Sequence, residues 1–306
     1  MSGRRGRAHA LRSLGVAAFL AAFTPVASHA AGVLVLRSSD LPVYAATARA
    51  FATAFHRPAA EISLAARDLD AVDGEIARAR PDVVVAIGLR AASLAHERFP
   101  RVPLVYALVP APERHGLAGP GVTGVSAEVV PALELEVLHS LAPDVRRVGV
   151  ALGLGASDWI REASDAAERL ELTLVVVTVN GVEQLGPRIR ELATQSDALW
   201  LPADPTVATP EVFRLELAQS LSHRLPLLVF APPLVNAGAL AAAAPDLDWV
   251  GGRLADSVRR ILAGERAGSI PATPIRRVHA VANLATARAI GRELPGAALG
   301  NAEVVR

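Results

Sequence analysis

The residues with chemically active side chains are few, and their spacing assembles no catalytic centre. The eight histidines include no pair at the i, i+4 or His-Glu-x-x-His spacing that binds zinc. No Gly-x-Ser-x-Gly turn presents a nucleophilic serine. Gly153 and Gly155 follow a predicted strand, but Asp158 stands where a dinucleotide-binding turn has its third glycine. We therefore expect no enzyme activity, no metal site and no cofactor.

The absence of lysine and cysteine narrows the chemistry further. Every one of the 31 basic residues is an arginine, which excludes a Schiff base, a lysine nucleophile and a P-loop lysine. Without cysteine the chain forms no disulfide and carries no cysteine-linked lipid anchor. The fold must therefore depend on its hydrophobic core, which a chain of this length is able to build.

The first thirty residues have the pattern of a secretory leader. Four arginines and no acidic residue precede an uncharged apolar run over 14–23, and Pro25, Ser28 and Ala30 follow it. The run is shorter than the roughly 20 apolar residues needed to span a bilayer. We expect residues 1–30 to be a cleaved signal peptide, Ala31 to begin the mature chain, and the protein to be periplasmic. The alternative is an apolar N-terminal helix that is retained.

Charge predicts the kinds of partner. Removing the leader with its four arginines leaves fewer basic residues than the 30 acidic ones, and no basic stripe remains. A nucleic-acid partner is therefore not expected. We also expect a monomer, a prediction that does not rest on charge.

Apolar runs alternate between strand and helix spacing along the mature chain. Strands are predicted at 33–36, 61–64, 83–88 and 102–108, and helices at 44–55, 71–80 and 91–99. Residues 110–121, rich in proline and glycine, form a break. The alternation then restarts, with helices at 129–141, 158–170, 182–195 and 211–223 and strands at 147–152, 172–179, 198–201 and 225–230. The pattern predicts an α/β fold of two doubly wound parallel-sheet lobes, with ligands at the carboxyl ends of strands.

An ordered set of short segments resembles a known family. The segments are VTGV at 122–125, RRVGV at 146–150, WLPADPTV at 200–207, NAGALAA at 236–242, VGGRLA at 250–255, SIP at 269–271 and NLATA at 283–287. They are similar to those of ABC transporter substrate-binding proteins of the tryptophan-binding (TrpX) type, over about 33–295. The resemblance implies a type I periplasmic-binding-protein fold, three crossings between the lobes, and a cleft that closes on a small solute, often an aromatic or other amino acid. It also implies a small-molecule ligand and, as partner, an inner-membrane ABC permease.

The resemblance places the crossings near 122–126, 236–242 and 271–277. The first lobe is then expected over 32–124 plus 237–270, the second over 125–236 plus 271–296, and a C-terminal tail over 297–306. A helix is expected at 253–263, a strand at 278–282 and a helix at 285–293.

Loops after strands supply the candidate ligand-binding residues. In the first lobe these are Ser38, Ser39, Gly88, Leu89, Arg90, Val109 and Pro110. The two serines have the chemistry to bind a ligand carboxylate beside a helix N-terminus, or to cap the helix at 44–55. Leu89 stands where the family has a hydroxyl, and Arg90 either replaces that contact with a bidentate one or is a surface arginine. Val109 stands where the family has an acid.

The second lobe contributes a matching set, namely Ser157, Asp158, Asp204, Pro205, Thr206 and Pro232. The alternative for Asp158 is that it caps a helix, and the same alternative applies to Thr209, three residues after Thr206. The departures at Leu89, Val109 and Pro232 make the site more apolar than that of a relative, so the ligand identity does not transfer. The departures at Leu89 and Val109 also favour an alternative function, a periplasmic sensor or accessory protein of the same fold that signals to a membrane partner.

Overall fold

The computed structural model describes residues 32–65 and 69–306. The leader predicted over 1–30 lies outside the described residues. The strands are β1 Val33–Arg37, β2 Ala60–Ser63, β3 Val83–Ile87, β4 Leu104–Val109, β5 Val122–Val129, β6 Arg147–Gly153, β7 Thr173–Val179, β8 Ala198–Leu201, β9 Leu227–Val229, β10 Ala241–Pro245, β11 Thr273–Ile275, β12 Val278–Asn283 and β13 Glu303–Val305. The helices are α1 Pro42–Phe55, α2 Leu69–Ala79, α3 Leu89–Arg98, α4 Pro131–Leu141, α5 Ser157–Arg169, α6 Leu185–Gln195, α7 Pro210–His223, α8 Pro232–Asn236, α9 Leu247–Leu262, α10 Leu284–Ala289 and α11 Gly296–Leu299.

Six strands form the sheet of the first lobe, in the order β11-β5-β4-β3-β1-β2, and every pairing in it is parallel. Its strands are nearly continuous apolar runs because helices cover both faces. Helices α1 and α9 pack on one face, and α2 and α3 pack on the other. The doubly wound arrangement predicted from the sequence is confirmed.

Seven strands form the sheet of the second lobe, in the order β13-β12-β10-β9-β8-β6-β7. Its pairings are parallel except for β10 with β12. Helices α4, α5 and α10 cover one face, and α6, α7 and α8 cover the other. The segment 297–306, expected as a tail, contains the end of α11 and the strand β13, which extends this sheet.

The chain passes between the two sheets three times. It leaves the first sheet after Val129, returns after Pro245, and leaves again after Ile275. The first two crossings therefore lie a few residues later in the chain than the expected positions at 122–126 and 236–242. The last two are joined to each other, because the backbone N–H of Asp246 donates to the carbonyl of Arg277 at 2.9 Å.

The second crossing lies later than expected because residues 241–244 form a strand. Four consecutive alanines have a low strand propensity. Here all four are buried, and β10 pairs with β9 on one side and β12 on the other. Packing against α4 and α8 favours small side chains, so tertiary context overrides propensity.

The contact between α1 and α9 joins distant parts of the chain in the first lobe. It depends on Gly251, where a Cβ atom would lie 2.4 Å from the carbonyl carbon of Ala50. Phe51 on α1 is fully buried beside Val250 and Leu254 on α9. Helix α9 begins six residues before the expected start at 253, with Asp246 capping it through a 2.9 Å bond from the N–H of Trp249.

Candidate functional site

The crossings show where the two lobes present their loops to each other. Strands β5 and β11 run directly from their carboxyl ends into the second lobe, and β10 runs from its carboxyl end into the first. The carboxyl ends of both sheets therefore meet where the lobes are joined. In open α/β sheets, ligands bind at this end of the strands.

Ser38 supports the N-terminus of α3 rather than capping its own helix. Its Oγ accepts a 2.9 Å hydrogen bond from the N–H of Ala91, and Leu41, not a serine, precedes α1. Gly88 makes this approach possible: its φ is +85°, and a Cβ there would lie 2.6 Å from Ser38 Oγ. The alternative that a serine caps the helix at 44–55 is therefore wrong, because the Ser38 hydroxyl accepts its hydrogen bond from α3 and Leu41 stands at the cap position of α1.

The other candidates of the first lobe form its rim. Ser39 and Leu89 are half-buried, and Arg90 is exposed. A guanidinium N–H of Arg90 donates to the carbonyl of Leu64 at 2.9 Å, so part of its hydrogen-bonding capacity is used within the protein.

Val109 and Pro110 differ sharply in exposure. Val109 is fully buried in the core cluster on the α2/α3 face, so its side chain lies away from solvent and from any ligand. Pro110 is exposed directly after it. Leu108, with a φ of +54°, shifts the register between β4 and β5 at this point and directs Val109 inward.

Asp204 organises the second lobe's loops. Its Oδ1 accepts hydrogen bonds from the N–H of Thr206 at 2.8 Å and from the N–H of Gly153 at 3.4 Å. A Cβ at Gly153 would lie 2.1 Å from Thr206 Oγ1, so the end of β6 is in close contact with the loop after β8. Asp204 and Thr206 are half-buried and Pro205 is exposed, which places all three at this edge.

The remaining candidates of the second lobe begin helices. Ser157 and Asp158 lie exposed in the first turn of α5, and Pro232 is half-buried at the start of α8. Asp158 does not cap α5, because Ala156 occupies the cap position; its carboxylate instead pairs with Arg161 at 2.8 Å. The alternative for Thr209 is confirmed, because its hydroxyl accepts from the N–H of Val212 at 3.3 Å.

Apolar side chains are exposed at the same edge of both sheets. Leu41 and Val43 follow β1, and Leu154 follows β6, with 70% of Leu154 exposed. Leu41 and Leu154 lie in the loops after β1 and β6, and Val43 lies in the first turn of α1. These three apolar side chains therefore remain accessible at the strand ends where a solute would bind.

A cavity of about 330 Å³ at the ends of β4 and β5 was not predicted from the sequence. Tyr106, Ser126 and Glu128 line it from one face of the sheet, and Glu113 and Arg114 line it from the loop after β4. Glu128 Oε1 accepts the N–H of Ala111, which fastens that loop to β5. The alternation of Ser126 and Glu128 along a strand was the available signal.

Negative charge dominates the electrostatics of this cavity. Burial raises the pKa of Tyr106 to about 12, and the carboxylates of Glu128 and Glu113 contribute to the rise. The phenol is therefore neutral at physiological pH and acts as both donor and acceptor.

Two carboxyl groups are buried within the second lobe without a cationic partner among the described residues. Burial raises the pKa of Glu134, in the first turn of α4, to about 8, and the adjacent indole of Trp200 opposes this rise. Burial alone raises the pKa of Glu216, on α7, to about 8. The Oε2 of Glu216 has no hydrogen-bond partner in the described chain.

Two features are absent from the part of the chain that the structure describes. Within residues 32–65 and 69–306, no group of three or more histidine, aspartate or glutamate side chains is placed to hold a metal ion. No helix over the same residues combines the length and apolarity needed to cross a membrane.

A family model described as ABC transporter substrate binding protein matches residues 65–305. A comparison with curated protein sequences gives no match. Solved structures share the fold. An ABC domain from Streptococcus pneumonia in complex with L-Trp has a TM-score of 0.60 at 21% identity, covering 90% of this chain and 99% of its own. The ligand-free, open structure of CD0873, a Clostridium difficile substrate binding protein with adhesive properties, has a TM-score of 0.70 at 20% identity with the same coverage.

Proposed function

Because the chain belongs to the ABC transporter substrate-binding protein family, we propose that it captures a small molecule between its two lobes and delivers it to a membrane ABC permease. The observation that carries this proposal is the meeting of both sheets' carboxyl ends at the three crossings. Loops from both lobes can then contact one solute, with Ser39, Leu89, Arg90 and Pro110 on one side and Asp204, Pro205, Thr206, Ser157, Asp158 and Pro232 on the other.

Capture proceeds by hinge closure about the crossings. A solute that contacts both lobes binds the closed form more tightly than the open form and shifts the population toward it. Closure also removes the exposed side chains of Leu41, Val43 and Leu154 from water, which adds a favourable apolar contribution. The permease then recognises the closed pair of lobes.

The solute is a small molecule with an apolar body. A structural neighbour is in complex with L-Trp, which makes an aromatic amino acid the first compound to test. Leu89 on the rim and the inward side chain of Val109 make the contacts of this chain differ from those expected of a relative.

The site of action follows from the leader. We propose that residues 1–30 direct export and are removed before Ala31, so that the protein binds its solute in the periplasm as a monomer. N-terminal sequencing of the exported protein should begin at Ala31, and light scattering should give the mass of one chain. An intact N-terminus in the mature fraction, or a dimer mass, would contradict this part of the proposal.

Binding is tested on the mature chain by a thermal-shift screen followed by calorimetry. A ligand at a hundredfold excess over its dissociation constant stabilises the folded state by about 2.7 kcal/mol. Asp204→Ala should weaken binding at least tenfold without unfolding the protein, because its carboxylate holds the Thr206 and Gly153 amides. Ser39→Ala should weaken binding as well. Asp165→Ala, at an exposed position on α5, is the matched control.

The outcomes separate the two candidate functions. A solute that binds and reduces the radius of gyration in X-ray scattering supports capture by closure. A screen with no binding solute favours the second candidate, a periplasmic sensor or accessory protein, which draws on the buried Val109 and the apolar Leu89. Neighbouring genes for a permease and an ATPase, as opposed to a sensor kinase, provide an independent discrimination.

A further inference from the structure

The segments that precede β2, β3, β4 and β11 lie together at the amino edge of the first lobe's sheet. Every pairing in this sheet is parallel, so all its strands begin at one edge, opposite the carboxyl ends of the candidate site. Each of the four segments carries one exposed arginine. In the order of the strands along the edge, which we call the basic edge, these are Arg266, Arg101, Arg80 and Arg57.

The four guanidinium groups of the basic edge are available to an external anion. None of them has an ion-pair partner in the described part of the chain. Two nearby carboxylates are engaged elsewhere: Asp82 accepts the backbone N–H of Gly32 at 2.7 Å, and Glu265 pairs with Arg260 at 2.6 Å. These four positive charges are therefore not neutralised within the protein.

Positive charge predominates in the surrounding turns as well. The helices that end at this edge add Arg78, Arg98, Arg259 and Arg260 in their last turns. The carboxylates of the same loops and turns are Asp82, Glu97 and Glu265. Basic residues thus outnumber acidic ones here, whereas the mature chain as a whole has fewer basic than acidic residues. No run of arginines marks this edge in the sequence, because parallel pairing brings its members together.

The amino edge of the second lobe has the same topology but is neutralised. Arg147, at the start of β6, pairs at 2.9 Å with Asp197, which precedes β8. Arg292 pairs with Asp144, which precedes β6. Unpaired arginines at the first lobe's edge are therefore not a general consequence of an arginine-rich composition.

The chemistry of the basic edge fits a surface of phosphate groups. A guanidinium group binds phosphate through two parallel hydrogen bonds. Strands stand about 4.8 Å apart, so the six-stranded edge presents its charges over roughly 24 Å. A specific protein partner would need an apolar core in the interface. The large apolar side chains that are exposed in the described chain all lie elsewhere, namely Leu41, Val43, Leu154 and Leu221.

We propose that the basic edge docks the first lobe reversibly on the phosphate headgroups of an anionic membrane. An arginine close to such a surface strengthens binding roughly fivefold. Salt screens charges beyond about 8 Å, so the acidic remainder of the protein does not cancel this attraction. The candidate site lies at the opposite edge of the sheet and stays accessible. This inference goes beyond the proposed function and does not depend on the solute.

The test is co-sedimentation of the mature chain with vesicles of phosphatidylglycerol and phosphatidylcholine in equal parts. We expect the wild type to bind at low salt, to dissociate at high salt, and not to bind vesicles of phosphatidylcholine alone. The combined Arg57→Ser, Arg80→Ser, Arg101→Ser and Arg266→Ser variant should bind at least about a hundredfold more weakly. The pair Arg80→Ser and Arg101→Ser should lose roughly twenty-fivefold, which keeps the test valid if the fourfold variant misfolds.

A matched control changes the net charge equally on the second lobe. Its substitutions, at four exposed and unpaired positions of the described chain, are Arg169→Ser, Arg190→Ser, Arg224→Ser and Arg288→Ser. This variant should still bind the anionic vesicles, and both fourfold variants should keep the wild-type solute affinity in calorimetry. The solute measurement thus reports on the proposed function separately.

Three results would overturn membrane docking. They are no binding of the wild type to the anionic vesicles, equal binding to the neutral ones, and an equal loss in the edge variant and its control. A light-scattering mass of two chains that the edge variant reduces to one would instead assign the edge to self-association. Binding to the anionic vesicles that only the edge variants lose supports the proposal.

Discussion

Replacing Glu134 with glutamine should make the protein more stable at neutral and alkaline pH while leaving its stability near pH 4.5 unchanged. Burial raises the pKa of Glu134 from 4.5 to about 8 in the folded state. Between these two values the folded protein holds a proton that the unfolded chain has released. Stability must therefore fall as the pH rises through this range.

The magnitude follows from proton linkage. One such group costs up to about 1.4 kcal/mol of folding free energy per pH unit, which amounts to roughly 3 kcal/mol at pH 7. Glu216 has the same raised pKa of about 8 and doubles the slope. Glu134→Gln removes one half of the slope and the combined Glu134→Gln, Glu216→Gln variant removes both, because the amide does not titrate.

Ion-paired acids act in a lower range and do not obscure this effect. Hydrogen bonds from Arg292 hold the pKa of Asp144 below its usual value, and those from Arg147 do the same for Asp197. Their stabilisation is complete above the ordinary aspartate pKa and is lost as the pH falls further. The wild-type protein should therefore be most stable near pH 4 to 5.

The assay is urea unfolding of the mature chain, monitored by circular dichroism, at half-unit steps from pH 4.5 to 8. It gives the free energy of unfolding at each pH. Glu136→Gln, on an exposed position of the same helix, should retain the wild-type slope. A wild-type stability that stays level or rises over this range would refute the reasoning. So would a glutamine variant whose slope equals that of the wild type, since Glu134 would then ionise normally in the folded protein.

Close backbone contacts give two further predictions. Gly251→Ala should lower the free energy of unfolding by about 1–3 kcal/mol, because the added methyl meets the backbone of α1, whereas Gly252→Ala, with open space, should raise it by up to about 1 kcal/mol; urea unfolding measures both. Equal effects at the two positions would exclude a tight helix contact. Gly153→Ala should weaken solute binding several-fold in calorimetry by displacing Thr206, and Gly186→Ala should not. Unchanged affinity in the first variant would remove this loop from the site.

The order and type of most elements could be predicted because apolar periodicity carries that information directly. Buried parallel strands such as β3 appear as short β-branched runs, and amphipathic helices such as α6 appear at a spacing of three and four. Strand β10 could not be predicted in this way. Its alanines have a low strand propensity, and they form a strand because β9 and β12 pair with them on either side.

The sequence identifies which loops follow the strands, but it does not indicate which residues these loops contact. The sequence indicates that Ser38 precedes a helix, yet its hydroxyl bonds an amide 53 positions away. The cavity at Tyr106 and Glu128 likewise depends on the pairing of β4 with β5. These strands are separated in the chain by the irregular loop that lines the cavity. Distant partners of this kind are set by tertiary structure and leave no local pattern.

The contact between α1 and α9 means that the first lobe cannot be completed until residues 247–262 have been synthesised. The strands β1 to β5 emerge first during synthesis, but α1 covers only part of one face of their sheet until α9 is made. Helices α4 to α8 and strands β6 to β10 of the second lobe form one uninterrupted stretch of chain. Its contacts are more local and close smaller loops, so they form sooner. Neither lobe is complete, however, until the C-terminal segment is made: α9 and β11 complete the first lobe, and β12, α10 and β13 complete the second.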